Sequence, residues 1–207
     1  MSATSSNKRQ RAAARPRGVA RREALLEATL QIVADTGADA VTHRRVAEVA
    51  QLPLASTTYY FASKEELLTA ALELAAERDL VRLKAIADDR RRRPASPDDA
   101  VAAAMGPSGE QPDPAAGRRS LLASYTLLLE AARRPALQAL TRRWTEAYLT
   151  TIAELLQRAG SATPDADAQV LLAAADGMLI AALSTGEPTD PRPQLQRLAR
   201  ILTTSTL

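Results

Sequence analysis

Cysteine is absent from the 207 residues. That excludes disulfides, thiolate metal sites and a cysteine nucleophile, and it fits a cytoplasmic protein. Histidine occurs once, at His43, so no histidine pair is available for zinc, and the chain implies neither a metal nor a cofactor. No P-loop, G-x-G-x-x-G or G-x-S-x-G occurs. Aromatic residues make up only 3%, and no alternating apolar run of strand length is found. Acid is missing from the first 22 residues, which hold Lys8, Arg9, Arg11, Arg15, Arg17, Arg21 and Arg22 and leave 20 basic against 24 acidic residues in the rest. The same stretch has no apolar core and is not a secretory signal.

What is present is alanine and leucine, within a hydrophobic content of 46%. Such a composition, with scattered β-branched residues, predicts an all-α fold with room for one small domain and one of ordinary size.

The informative stretch is VTHRRVAEVAQLPLASTTYYFASK, residues 41–64. Val46, Ala47 and Ala50 give a short helix one apolar face, with Thr42 or His43 at its start and Arg44 and Arg45 in its first turn. Cations there oppose the helix dipole, which makes sense if a phosphate approaches. Leu52 and Pro53 end that helix and open a second, about residues 54–61, polar at Ser56, Thr57 and Thr58 and aromatic at Tyr59, Tyr60 and Phe61. Short hydroxyls and tyrosines suit a major groove. Ser63 with Glu66 predicts a capping box, and hence a new helix from Lys64. Upstream, Leu25, Ala28, Thr29, Ile32 and Val33 mark one face of a supporting helix over residues 22–37.

In this order of elements, and in the F-x-x-K-x-x-L step at Phe61, Lys64 and Leu67, residues 22–68 resemble the DNA-binding domain of the TetR family of bacterial transcriptional regulators. The resemblance implies a three-helix domain with a helix-turn-helix, followed by a helical-bundle domain for effector binding and dimerisation. It places Arg44, Ser56, Tyr59, Tyr60 and Lys64 at DNA-contacting positions, and Thr42, Arg45 and Thr57 beside them complete the expected contact set. Gln51 stands where the family usually has its turn glycine, so the turn either avoids a positive φ or strains Gln51. Thr58 stands where a phosphate-binding tyrosine is usual.

The domain plan is a basic flexible arm at 1–21, the DNA-binding domain at 22–68 and the effector and dimerisation domain at 69–207. The arm reads either as a solvated tail or as a strand of charge touching phosphates or the minor groove, and its place next to the reading unit favours the second. The helix from Lys64 is expected to reach about residue 87, and the Arg90 to Arg93 run reads as its solvated end. Ser96, Pro97, Asp98 and Asp99 open a short helix, and residues 106–117 read as a mobile loop.

In the C-terminal half, Leu121, Tyr125, Leu128, Leu129 and Ala132 suggest one helical face, and Leu137, Leu140, Trp144, Tyr148, Ile152 and Leu155 a longer one. Residues 164–184 are apolar nearly all round. They read as too short and too interrupted by Asp176 to cross a membrane, so no membrane partner is implied. A helix so apolar needs cover on two sides, and a second copy of the chain is the economical partner, with Leu155, Ala174, Gly177 and Ala181 as candidate interface residues. Tyr125, Leu128, Trp144, Tyr148 and Met178 are candidates for an effector pocket, although ordinary core filling accounts for each ring singly. Asp176 reads as a helix-packing aspartate before it reads as a catalytic acid or a counter-charge for a cationic ligand.

The functional expectation is a homodimeric repressor that binds double-stranded DNA at a palindromic operator and is released by a small-molecule effector. A DNA-binding regulator without an effector, answering to a partner protein or to its own concentration, is the alternative; a small helical enzyme is a third and weaker reading.

Overall fold

The computed structural model describes residues 3–90, 92–106, 113–186 and 190–204. Among these residues the secondary structure is helical throughout: α1 (Ala3–Thr36), a 3-10 turn (Ala38–Ala40), α2 (His43–Val49), α3 (Leu54–Tyr60), α4 (Lys64–Arg90), α5 (Pro97–Ala104), α6 (Pro114–Ala132), α7 (Pro135–Arg158), α8 (Pro164–Thr185) and α9 (Arg192–Thr204). The chain divides into two compact units, Met1–Leu74 and Ala75–Leu207, and the division falls inside α4.

The first unit is built around α1. Its predicted face, Leu25, Ala28, Thr29, Ile32 and Val33, is buried, and the Thr29 hydroxyl is satisfied by the Leu25 carbonyl at 2.8 Å. The helix starts at Ala3 rather than near Arg22, so the basic stretch expected as a flexible arm lies within α1. Alanine and arginine are among the strongest helix formers, and Ala12, Ala13 and Ala14 stand together there. Phe61, Leu67, Leu68, Ala71 and Leu72 complete the core, which is why the unit extends into α4 beyond residue 68.

The α2–α3 turn closes without glycine. Gln51 adopts φ 55°; its N–H donates to the Glu48 carbonyl at 3.1 Å, and the Leu52 N–H donates to the Ala47 carbonyl at 2.9 Å. That pair of bonds is a Schellman motif, in which the residue after the helix cap must be left-handed. The motif is kept, and a non-glycine residue bears its strain. At α4 the Ser63 hydroxyl accepts from the Glu66 N–H at 3.1 Å as expected, but the Glu66 carboxylate returns to the N–H of Ala62, at 2.6 Å, one residue before the cap.

The second unit packs α7 against α5, α6 and α8, with α9 against α5 and α8. Ile152, Leu156, Leu171 and Leu195 lie fully buried at its centre. The α5 capping box forms around Ser96 and Asp99. Arg90 and Arg93 are not a free solvated end: both pair with the buried Asp99 carboxylate, at 3.0 and 2.5 Å. On α6 the buried positions are Gly117, Leu121, Ala123, Ser124, Leu127 and Ala131, while Leu129 and Ala132 are exposed. The inward stripe is therefore turned by about one position from the expected one. Residues 114–117, read as part of a mobile loop, are the first turn of α6, capped by the Asp113 carboxylate on the Ala115 N–H at 2.9 Å; residues 107–112 of that loop lie outside the described residues.

The 22 residues of α8 are, contrary to expectation, long and apolar enough to cross a membrane by length and composition. Its inward residues Ala168, Leu171, Ala175 and Leu179 are nevertheless buried in this helical unit.

Candidate nucleic-acid interface and effector cavity

In the first unit, α2, α3 and the start of α4 bring most of the predicted contact residues to the surface. Thr42 caps α2, its hydroxyl accepting from the Arg45 N–H at 3.2 Å. Arg44 and Arg45 are exposed, and Arg44 is tethered to Glu48 one turn on, Nε to Oε1 at 3.0 Å. A pair that open to solvent is readily exchanged for a phosphate partner. On α3, Tyr59 is 81% exposed and meets Tyr60 edge to face with ring centroids 4.9 Å apart. A tyrosine exposed this far offers a flat contact surface with a hydroxyl at its tip. Ser56 is half-buried. Thr58, at the position of the usual tyrosine, is exposed with its hydroxyl on the Ala55 carbonyl at 3.3 Å.

Thr57 departs from the prediction. It is fully buried, and its hydroxyl donates to the Leu54 carbonyl at 2.7 Å, so it serves the core and has no surface to offer DNA. Lys64 is half-buried; its ammonium donates to the Asp39 carbonyl at 3.1 Å and lies 3.6 Å from the Asp39 carboxylate. That anchoring fixes the height of the cation at the foot of α4. Sequence reading names α1 as the supporting helix but not its contacts: Arg22 stacks on the Phe61 ring at 5.4 Å, and Gly18 runs close to the Tyr60 hydroxyl. These contacts bring the C-terminal end of the basic stretch beside α3.

The second unit holds a cavity of about 90 Å³ lined by Tyr125, Leu128, Trp144, Tyr148, Asp176 and Leu179, with Gly106, Leu121, Ser124 and Thr145 among the remaining wall residues. Four of the five predicted pocket residues meet here; Met178, on a neighbouring face of α8, does not line it. The volume is small beside the roughly 300–1,000 Å³ of sites for drug-sized ligands. It suits a compact ligand.

Two polar arrangements border the cavity. In the first, Asp79 of α4 is 3% exposed and accepts from Arg82 Nε at 2.7 Å, from the Trp144 indole N–H at 3.0 Å and from the Tyr148 hydroxyl, while an Arg82 guanidinium N–H donates to the Tyr148 oxygen at 3.0 Å. Burial, and after it the Asp79 charge, push the Tyr148 phenol well above its ordinary range and keep it a proton donor. In the second, the Tyr125 hydroxyl donates to Asp176 Oδ1 at 2.9 Å. Burial raises the Asp176 carboxyl, and the Tyr125 hydrogen bond opposes the rise. Burial and the Asp176 charge together raise Tyr125. Neither Asp79 nor Arg82 stood out in the sequence.

The candidate interface residues of α8 divide. Gly177 and Ala181 are exposed and Ala174 is half-buried, on a helix that also exposes Val170 and Ile180. Leu155 of α7 is 2% exposed within its own unit and has no side-chain surface left for a second copy.

Comparison with known proteins agrees with this arrangement. The N-terminal model of the tetR family of bacterial regulatory proteins matches residues 25–71, and a tetracyclin repressor-like C-terminal domain model matches residues 112–205. The chain belongs to the TetR family. Among solved structures, a TetR-family member from Streptomyces coelicolor A3 is similar at 27% identity and a TM-score of 0.65, covering 88% of this chain and 98% of that one. The multidrug binding protein EbrR, in its complex with ethidium, is similar at 29% identity and a TM-score of 0.61 over 88% and 97% of the two chains. A transcriptional regulator from Rhodococcus sp. Rha1 shares the fold at a TM-score of 0.74, with 24% identity over 87% and 94%. No curated protein matches the chain. As a TetR-family protein, the chain is a DNA-binding transcriptional regulator.

Proposed function

We propose that this TetR-family protein is a cytoplasmic, homodimeric repressor that binds a palindromic operator through α2, α3 and Lys64 and leaves it when a small molecule occupies the cavity of the second unit. The observation that carries this reading is the division of α4. Its first turns are buried in the reading unit, while Asp79 and Arg82 further along hold the indole and phenol that line the cavity. A ligand that displaces Trp144 or Tyr148 therefore acts on the helix that carries Lys64. Effector and operator then favour different positions of one helix, which is the requirement for allosteric release.

Dimerisation is supported by the outward face of α8, where Val170, Gly177, Ile180 and Ala181 lie exposed on an apolar helix. A two-fold dimer presents paired readers to the two halves of a palindrome. A ligand-responsive cavity is also in keeping with EbrR, which is complexed with ethidium in one structure and with proflavin in another.

The decisive experiment is selection of bound sites from random duplex DNA, followed by anisotropy titration of the enriched sequence. Palindromic sites occupied by two protomers are expected. Enrichment of no sequence, or stoichiometric binding of one protomer to a single half-site, would overturn the dimeric reading.

A further inference from the structure

The cavity walls carry one charge that nothing answers. Asp176 is the only residue with a charged side chain among the lining residues; its Oδ1 is held by the neutral Tyr125 hydroxyl at 2.9 Å, and no cation among the described residues pairs with it. The other charges nearby cancel: Asp79 and Arg82 form a 2.7 Å ion pair behind Tyr148, with side chains 2% and 13% exposed. Asp176 also sits in the middle of α8, so neither end of the helix supplies a compensating dipole.

Each class of occupant fares differently against this wall. An anion would meet Asp176 with no cation to receive it. A neutral body would cover the carboxylate and deepen its desolvation, which already raises its pKa. An organic cation would supply the missing partner. The rings of Tyr125, Trp144 and Tyr148 line the same space, and the polar ends of Trp144 and Tyr148 are committed to Asp79, so what they offer the cavity is chiefly aromatic surface. Such surface attracts cations through the ring quadrupole.

We propose that the cavity takes a small organic monocation with an aromatic or apolar body, held by Asp176 as its counter-charge. This rests on the reading of the cavity as the effector site.

The test compares two probes of the same shape on the full-length protein: the trimethylphenylammonium cation and its neutral isostere tert-butylbenzene. Binding is read by titration calorimetry and by the emission of Trp144, the only tryptophan, which lines the cavity. The cation is expected to bind roughly tenfold or more tightly than the isostere, in line with an ion pair and ring contacts in a partly desolvated site. Asp176→Asn is expected to level the two affinities by weakening only the cation, and Tyr125→Phe to keep the preference. Equal affinities in the unaltered protein would overturn the cationic subsite while leaving the cavity as a ligand site. A preference that survives in Asp176→Asn would overturn the assignment to that residue. Failure of both probes to bind would remove the cavity as a site for molecules of this size, and the subsite with it, leaving operator binding as a separate measurement. The comparison in the unaltered protein decides the charge preference even if the asparagine variant does not fold.

Discussion

Asp79 of α4 and Trp144 of α7, 65 residues apart in the chain, are joined by a 3.0 Å hydrogen bond from the indole to the carboxylate. The same carboxylate receives Arg82 and Tyr148, so a buried acid gathers three donors from two helices. Asp79→Asn removes the charge facing Arg82 and turns one acceptor into a donor aimed at other donors. Breaking a buried pair in this way costs about 3–5 kcal/mol. Urea unfolding followed by Trp144 emission, which reports on the second unit alone, should show a much lower midpoint. A shift worth less than ~1 kcal/mol, no more than an exposed pair contributes, would mean the network adds little.

At the reading surface, the Lys64 ammonium is held over the Asp39 carbonyl at 3.1 Å. If it meets a phosphate, Lys64→Ala should weaken binding across sequences and lower the log–log salt slope by roughly one unit. Arg44→Ala should in addition relax sequence preference if its contact is to a base edge. Identical salt slopes for Lys64→Ala and the unaltered protein would remove Lys64 from the interface.

The α2–α3 turn offers a test of strain. The left-handed conformation of Gln51 costs about 1–2 kcal/mol for a residue with a Cβ, whereas glycine gives back about 0.5–1 kcal/mol through the greater freedom of its unfolded chain. Gln51→Gly should therefore stabilise the first unit by up to ~1 kcal/mol. Hydrogen exchange of the α2 and α3 amides should slow accordingly. Faster exchange in the variant would show that the Gln51 side chain does something the backbone does not reveal.

The residues that were legible from sequence share a property: their structural signal is local. The α1 stripe, the Ser63 cap and the Ser96 cap are written within one or two turns of chain, where spacing alone decides which atoms meet. Asp79 was not legible because it lies in a charged stretch, ERDLVR, that reads as a solvated helix face; its partners Trp144 and Tyr148 are supplied by a distant helix. Thr57 looked available because a hydroxyl among polar neighbours suits an exposed face, and only the packing of α3 shows that this one points inward. On α6 the run LLASYTLLLEAA fits more than one apolar stripe, so spacing could not choose between Leu127 and Leu128 as the buried position. In the cavity, by contrast, the scarcity of rings narrowed the choice, since Tyr125, Trp144 and Tyr148 are the aromatic residues of the C-terminal half.

The exposed face of α8 makes dimerisation testable with little risk to the fold. Ala181 and Ile180 are exposed, so a glutamate at either position leaves the core of the unit intact. In a self-interface the dimer would bury the unpaired charge twice, once per protomer, at a cost of a few kcal/mol per site. Sedimentation of Ala181→Glu and Ile180→Glu should show monomers at concentrations where the unaltered protein is dimeric. If both variants sediment as dimers, the interface lies elsewhere.

Coupling between operator and effector must be reciprocal whichever ligand fills the cavity. A ligand that lowers operator affinity about 5- to 150-fold, equivalent to ~1–3 kcal/mol, must itself be bound more weakly by that same factor when operator is present. The path proposed for this coupling runs through the Tyr148 hydroxyl, which lines the cavity and donates to Asp79 on α4. Tyr148→Phe keeps the ring and removes both hydroxyl links to α4, the one donated to Asp79 and the one accepted from Arg82, leaving Asp79 with Arg82 and Trp144. Effector and operator should then each bind with nearly unchanged affinity when measured alone, while the ratio of effector affinities with and without operator moves toward one. Titrating the trimethylphenylammonium probe, or any effector found later, against the free and the operator-bound protein measures that ratio directly. A ratio unchanged by Tyr148→Phe would show that the coupling reaches α4 by another contact, with Trp144 the next to be tested.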